Sequence, residues 1–161
     1  MNSTLRTTLA VLAIGAPAFS AEKSDAESEY YRILTLPTPQ LAGKSVTMEA
    51  GALLMLGPDK IACSSRLGDI WIADGVLADP PKPKWTQFAS GLHEVLGLTS
   101  RDGALYATQR GEVTRIKDTN GDGRGDVFET LGDPWGINGD YHEYAFGSPF
   151  DAVTPTKQRR L

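Results

Sequence analysis

The chain has 161 residues, of which 40% are hydrophobic, and a formal net charge of −4 at pH 7. This length and composition predict one packed domain. The acidic balance, with only the short KQRR of residues 157–160 as a basic cluster, excludes the positively charged surface by which proteins bind nucleic acids.

The first twenty residues, MNSTLRTTLAVLAIGAPAFS, predict a secretory signal peptide. One cation, Arg6, precedes an apolar run over residues 9–16, and Pro17 and small residues follow. This run is far shorter than the about twenty residues that span a bilayer, so no stable membrane span is expected. The chain is therefore predicted to be exported to the periplasm or secreted, with the charged residues 21–29 as a flexible lead-in.

Residues 30–151 are predicted to form an all-β domain, because short β-type runs alternate with turn sequences rich in glycine and aspartate. After the signal peptide, no segment shows a sustained helical period. The predicted strands cover residues 52–56, 60–64, 69–72, 95–99, 104–108 and 113–116.

Two segments of this domain repeat each other. LLMLGPDKIACSSRLGDIWIAD (residues 53–74) aligns with LGLTSRDGALYATQRGEVTRIKD (residues 96–118) when one-residue shifts are allowed at the turns. A period of forty-odd residues with four strands is typical of β-propeller blades. Two unrelated hairpins of similar length would also look alike. The matched positions, each 44 residues apart, are Arg66 and Arg110, Ile61 and Leu105, and Asp74 and Asp118.

The length predicts an incomplete propeller. A closed propeller has four to eight blades, whereas residues 46–161 hold about two and a half. The chain is therefore expected to be a truncated propeller, or to pair its exposed strand edges with another chain. The proline-rich residues 77–85 are predicted to cross between blades, and the polar residues 152–161 to form an aberrant tail.

The segment DTNGDGRGDVFE, residues 118–129, has the spacing of a calcium-binding loop. Oxygen-bearing side chains occupy positions one, three, five, nine and twelve, and glycine occupies position six. The flanks are β-like rather than helical, so the segment is predicted to connect two strands and to be held in place by calcium. The alternative is a solvated glycine-rich turn. The predicted ligands are the side chains of Asp118, Asn120, Asp122, Asp126 and Glu129 and the carbonyl of Arg124.

The two histidines, His93 and His142, each precede a glutamate, and neither is followed by the second histidine of the helical zinc-protease pattern. Because adjacent strand residues point to opposite faces, each glutamate is expected to be a poor partner for its histidine. A structural role is expected for His93. His142 lies among aromatic residues that line a pocket or fill a core: Trp135, Tyr141, Tyr144 and Phe146.

Two segments carry a family resemblance: GLHEVLGLTSRDGALYATQRGEVTRIKDTNGDGRGDVFETL and WGINGDYHEYAFGSPFD. They resemble propeller domains of exported proteins from planctomycete-type bacteria, which are similar to the soluble glucose/sorbosone dehydrogenases that use pyrroloquinoline quinone. The resemblance implies calcium and, in the full-length family, the quinone as cofactors, and oxidation of a sugar-like alcohol. It also implies that His142 is the catalytic base.

These observations predict an exported, calcium-binding, N-terminal piece of a sugar-dehydrogenase-like β-propeller. Catalysis by this chain alone is not expected, because most of the pocket that the resemblance implies would be missing. One alternative is a non-enzymatic interaction module whose edge strands pair with a partner or with another copy. Another is a truncated product without function.

Overall fold

The computed structural model describes residues 33–137 and 144–150. This part of the chain contains ten β-strands and no helix, which confirms the all-β prediction. No helix in the described ranges is long and apolar enough to cross a membrane.

Eight of the ten strands form two four-stranded antiparallel sheets. A small hairpin precedes them and consists of β1 (Gln40–Leu41) and β2 (Lys44–Ser45). The first sheet, in spatial order, consists of β3 (Ala50–Gly57), β4 (Lys60–Ser65), β5 (Ile70–Asp74) and β6 (Lys84–Ala89). The second sheet consists of β7 (Gly97–Arg101), β8 (Ala104–Thr108), β9 (Val113–Lys117) and β10 (Val127–Gly132).

The sequence repeat corresponds to a repeat of these sheets. Lys60 and Ala104, which begin the second strand of each sheet, are 44 residues apart, and Lys84 and Val127, which begin the fourth strands, are 43 residues apart. In both sheets each strand pairs with the next strand in the sequence. The two copies therefore share one strand order as well as one spacing.

The proline-rich segment does not cross between the repeats, so that prediction is wrong. It connects β5 to β6, which are neighbours in the first sheet, and Trp85 pairs with Ala73. Prolines cannot donate to a strand ladder, but β6 begins only after the last of them, at Lys84. The chain instead passes between the two sheets at residues 90–96.

The core lies between the two sheets, because each contributes apolar side chains to one cluster. Strand alternation directs Leu105 and Ala107 of β8 toward it, whereas the adjacent Phe88 and Ala89 of β6 both belong to it, next to a register shift. A side-chain hydrogen bond also joins the first sheet to the connection between the sheets, since the buried Ser64 Oγ of β4 donates to the Val95 carbonyl over 2.8 Å. The buried members of the cluster are Ala62, Ile70, Phe88, Ala89, Val95, Leu105, Ala107 and Ile116.

The two repeat-matched arginines hold the connection between the sheets. Glu94, in that connection, lies 3.7 Å from Arg66 Nη1 and 3.1 Å from Arg110 Nη1. Arg66 also pairs with Glu49 over 2.8 Å. Glu94 has a positive φ of 48°, which costs a non-glycine residue free energy. The two ion pairs therefore help to hold Glu94 in a backbone conformation that is otherwise unfavourable.

The outer face of the second sheet is contacted by residues 144–150. The Phe150 ring packs edge-to-face on Tyr106, with the ring centroids 4.7 Å apart. The hydroxyl groups of Ser148 and Thr108 form a hydrogen bond. In the first sheet, β3 is an edge strand, and two of its apolar side chains are exposed: Leu53 by 68% and Met55 by 57%.

Candidate functional site

The predicted calcium loop connects β9 to β10 and is shorter than its sequence pattern. Residues 118–126 form the connection, whereas the last three residues of the pattern belong to β10. Val127 and Phe128 pair there with Lys117 and Ile116 of β9. Branched and aromatic side chains favour a strand, so the ladder between β9 and β10 extends to residues that the spacing alone places in the loop.

Within the connection, the first three predicted ligands in the sequence accept hydrogen bonds from the loop backbone. The two carboxylate oxygens of Asp118 accept from the amides of Gly121 and Gly123, over 2.7 and 2.8 Å. The side-chain oxygen of Asn120 accepts from the Asp122 amide over 2.9 Å. Asp122 in turn accepts from the amide of residue 124 over 2.8 Å. These Asx-type turns shape the loop, and each oxygen keeps a further lone pair.

Asp126 closes the base of the loop. Its carboxylate accepts hydrogen bonds from the Thr119 hydroxyl over 2.8 Å and from the Thr119 amide over 3.0 Å. These two bonds favour the ionised form and hold the pKa of Asp126 below its usual value. The Asp126 amide donates to the Lys117 carbonyl over 2.8 Å. The ninth position of the pattern is therefore a carboxylate fixed in place by the loop itself.

Glu129, the twelfth position, lies in β10 and has a partner in the sheet. It stands opposite Arg115 of β9 and forms an ion pair with it. The hydrogen bond to Glu129 raises the pKa of Arg115. Among the described residues, no group of three or more His, Cys, Asp or Glu side chains is arranged to hold a metal ion. Calcium binding by this loop therefore stays a prediction.

The loop docks on the first sheet, a feature that the ligand spacing does not reveal. The Gly125 amide donates to the Phe88 carbonyl of β6 over 2.8 Å. A Cβ atom at Gly125 would lie 2.4 Å from Ile116 Cγ2 and 3.5 Å from Phe88, so only glycine fits without displacement. A glycine in an acidic loop indicates a turn, and nothing in the local sequence marks this one as a packing contact.

The predicted catalytic base, His142, lies outside the described residues, as does Tyr141, and its role stays a prediction. Two other members of the predicted aromatic cluster contact Arg110. Trp135 Nε1 donates to the Arg110 carbonyl over 2.7 Å. The Arg110 guanidinium carbon lies 5.4 Å from the centroid of the Tyr144 ring. Because Arg110 also pairs with Glu94, these aromatic side chains are linked through it to the connection between the sheets.

His93 lies in that connection, so the strand geometry assumed for it does not apply. Its Nε2 is 3.8 Å from Glu94 Oε2, which is longer than a hydrogen bond. Glu94 instead accepts a hydrogen bond from Arg110 over 3.1 Å, as expected of a poor partner for His93. The His93 amide donates to Gln109 Oε1 over 2.5 Å, and its ring is largely exposed.

No known protein family, curated protein or solved structure matches the chain. The similarity to quinone-dependent sugar dehydrogenases is therefore a hypothesis that rests on the sequence motifs of residues 91–151.

Proposed function

We propose that the chain is an exported calcium-binding module, in which calcium fixes the β9–β10 connection against the first sheet. The observation that carries this proposal is the combination of an oxygen-rich loop with a direct hydrogen bond to β6. The Asp118, Asn120 and Asp122 side chains shape successive turns. Gly125, a few residues later, is bonded to Phe88. An ion in the loop would therefore stabilise contacts between the two sheets.

The donor chemistry of the loop fits calcium. Carboxylate, amide and backbone carbonyl oxygens are the ligands that Ca²⁺ takes, six to eight at a time, with water completing the set. The carboxylates of Asp118, Asp122 and Asp126 repel one another when no cation is near. Calcium would offset this repulsion. Glu129 is the exception, because Arg115 already offsets its charge.

The same proposal assigns the module to a larger propeller similar to the glucose/sorbosone dehydrogenases. Two consecutive sheets with the same four-strand order support it, because a propeller repeats such a sheet around a ring. In full-length relatives, pyrroloquinoline quinone would accept the electrons of a sugar-like alcohol. His142 would take the proton of the substrate hydroxyl there, and we do not expect this chain to catalyse the reaction by itself.

Calcium is expected to raise the melting temperature of the chain. At one hundred times its dissociation constant, a ligand that binds only the folded state stabilises it by about 2.7 kcal/mol. For a domain of this size the increase is roughly 5 to 10 °C. Melting is followed by circular dichroism in calcium and in chelator. The double substitution Asp118→Asn and Asp122→Asn should abolish the increase.

The matched control is Asp74→Asn, because Asp74 is the repeat equivalent of Asp118 and lies outside the loop. It pairs with Lys60 in an exposed contact of 3.3 Å, and such pairs contribute little to stability. This variant should therefore keep the full calcium response. Identical melting of the unmodified chain in calcium and in chelator would refute the calcium proposal, as would a full response from the double variant.

A second candidate function is an interaction module, favoured by the apolar edge of the first sheet. Leu53 and Met55 are exposed on β3, which is an edge strand, and exposed apolar edges associate readily. The mass measured by sedimentation should then rise with protein concentration. The double substitution Leu53→Lys and Met55→Lys should keep the chain monomeric. A mass that stays monomeric for the unmodified chain at high concentration would exclude pairing of this edge with another copy of the chain.

A further inference from the structure

We propose that the cleft between the two sheets binds a small molecule that has an apolar body and a positively charged amine, and that calcium weakens this binding. The cleft has a volume of about 540 Å³ and is lined by residues of both sheets and by Asp118. Ligand sites commonly have volumes of about 300–1,000 Å³. The calcium part of this inference rests on the proposed function of the loop, whereas the amine part does not.

The interior of the cleft is apolar. Leu56 and Ile72 of the first sheet line it, together with Phe88 of β6 and Leu105 of the second sheet. Phe88 and Leu105 are buried in the core, so they provide a firm floor. Leu56 and Ile72 are only partly buried. A hydrophobic ligand would remove their remaining surface from water, which is the main source of affinity for an apolar body.

The charges around the cleft favour a cation. Lys60 Nζ lies 3.3 Å from Asp74, and Arg101 Nε lies 3.7 Å from Asp102. Both lining cations therefore already have a carboxylate partner. Asp118, in contrast, has no ion pair with any described side chain, and its oxygens accept only backbone hydrogen bonds. An ammonium group would supply the missing opposite charge, and hydrogen bonds to charged groups are the stronger ones.

The link to calcium follows because Asp118 belongs both to the cleft and to the predicted calcium loop. The same residue lines the cleft and is the first residue of the predicted calcium loop. When calcium offsets its charge, the cleft loses the anion that attracts the amine. By thermodynamic linkage, the amine must then weaken calcium binding by the same factor.

Two matched probes test the amine site: 1-naphthylmethylamine, which is positively charged at pH 7, and the neutral 1-naphthylmethanol. Affinities for the full chain are measured by calorimetry in the presence of chelator. The amine should bind about tenfold more tightly than the alcohol. Asp118→Asn should remove this preference, and Asp133→Asn, an exposed carboxylate outside the cleft, should keep it.

A second variant covers the case in which Asp118→Asn fails to fold. Ser100→Lys places a positive charge at an exposed position that lines the cleft, so it should weaken binding of the amine more than binding of the alcohol. Near-ultraviolet circular dichroism checks the fold of each variant. Equal affinity of the unmodified chain for both probes, or no binding of either, would overturn the inference. So would an unchanged preference in Asp118→Asn or Ser100→Lys.

Repeating the titration in saturating calcium separates the two proposals. Weaker amine binding supports the linkage. If calcium raises the melting temperature and leaves amine binding unchanged, the linkage is wrong and both sites stand. If calcium changes neither quantity and the amine still binds through Asp118, the proposed function fails and the cleft site stands.

Discussion

Replacing Gly68 by alanine is expected to lower the free energy of unfolding by about 3 kcal/mol, because the new methyl group would collide with another part of the backbone. Its Cβ atom would lie 2.0 Å from the Leu92 carbonyl oxygen and 2.9 Å from the Leu92 carbonyl carbon. The backbone cannot give way easily here, since the Leu92 amide donates to the Gly68 carbonyl over 3.0 Å. Alanine would separate the β4–β5 turn from the connection between the sheets.

The control for this variant is Gly103→Ala. Both glycines have a positive φ, 98° at Gly68 and 74° at Gly103, but a Cβ atom at Gly103 would have no neighbour within 4 Å. Gly103→Ala should therefore show only the conformational cost of about 1 kcal/mol. Urea denaturation of both variants measures the difference. Equal losses would show that the close approach at Gly68 contributes nothing.

Replacing Ile116 by alanine is expected to cost about 2–5 kcal/mol, the range for deleting a large aliphatic side chain from a core. Ile116 is 0% exposed and lies in β9 between Leu105 and Phe128 of the flanking strands. Its Cγ2 atom also occupies the space next to Gly125. The substitution would therefore open a cavity where the core meets the candidate calcium loop.

Two further variants serve as comparisons for Ile116→Ala. Ile116→Val removes one methylene group and should cost about 0.5–1.5 kcal/mol. Val127→Ala changes a side chain that is 42% exposed in edge strand β10, so its cost should be smaller than that of Ile116→Ala. Calorimetric unfolding ranks the three. The assignment of Ile116 to the core would be wrong if Ile116→Ala were no more destabilising than Val127→Ala.

The sequence predicts those strands whose signal is local. β4, β8 and β9 carry branched and aromatic residues between glycine- or aspartate-containing turns, and their predicted positions agree with the structure to within one residue. The sequence pattern does not predict β6 or β10. Each follows a segment that reads as a loop, proline-rich before β6 and acidic before β10. Their strand state depends on pairing with β5 and β9, which a local pattern does not contain.

For the candidate site, the sequence by itself determined the number of oxygen donors, their spacing and the 44-residue repeat. These are properties of neighbouring residues along the chain. Only the tertiary structure decided that Glu129 of β10 faces Arg115 of the paired strand β9. The same is true of the hydrogen bond between Gly125 and Phe88 of the other sheet. Such contacts join distant segments, because burial of apolar surface and pairing of backbone groups select partners in space rather than in sequence.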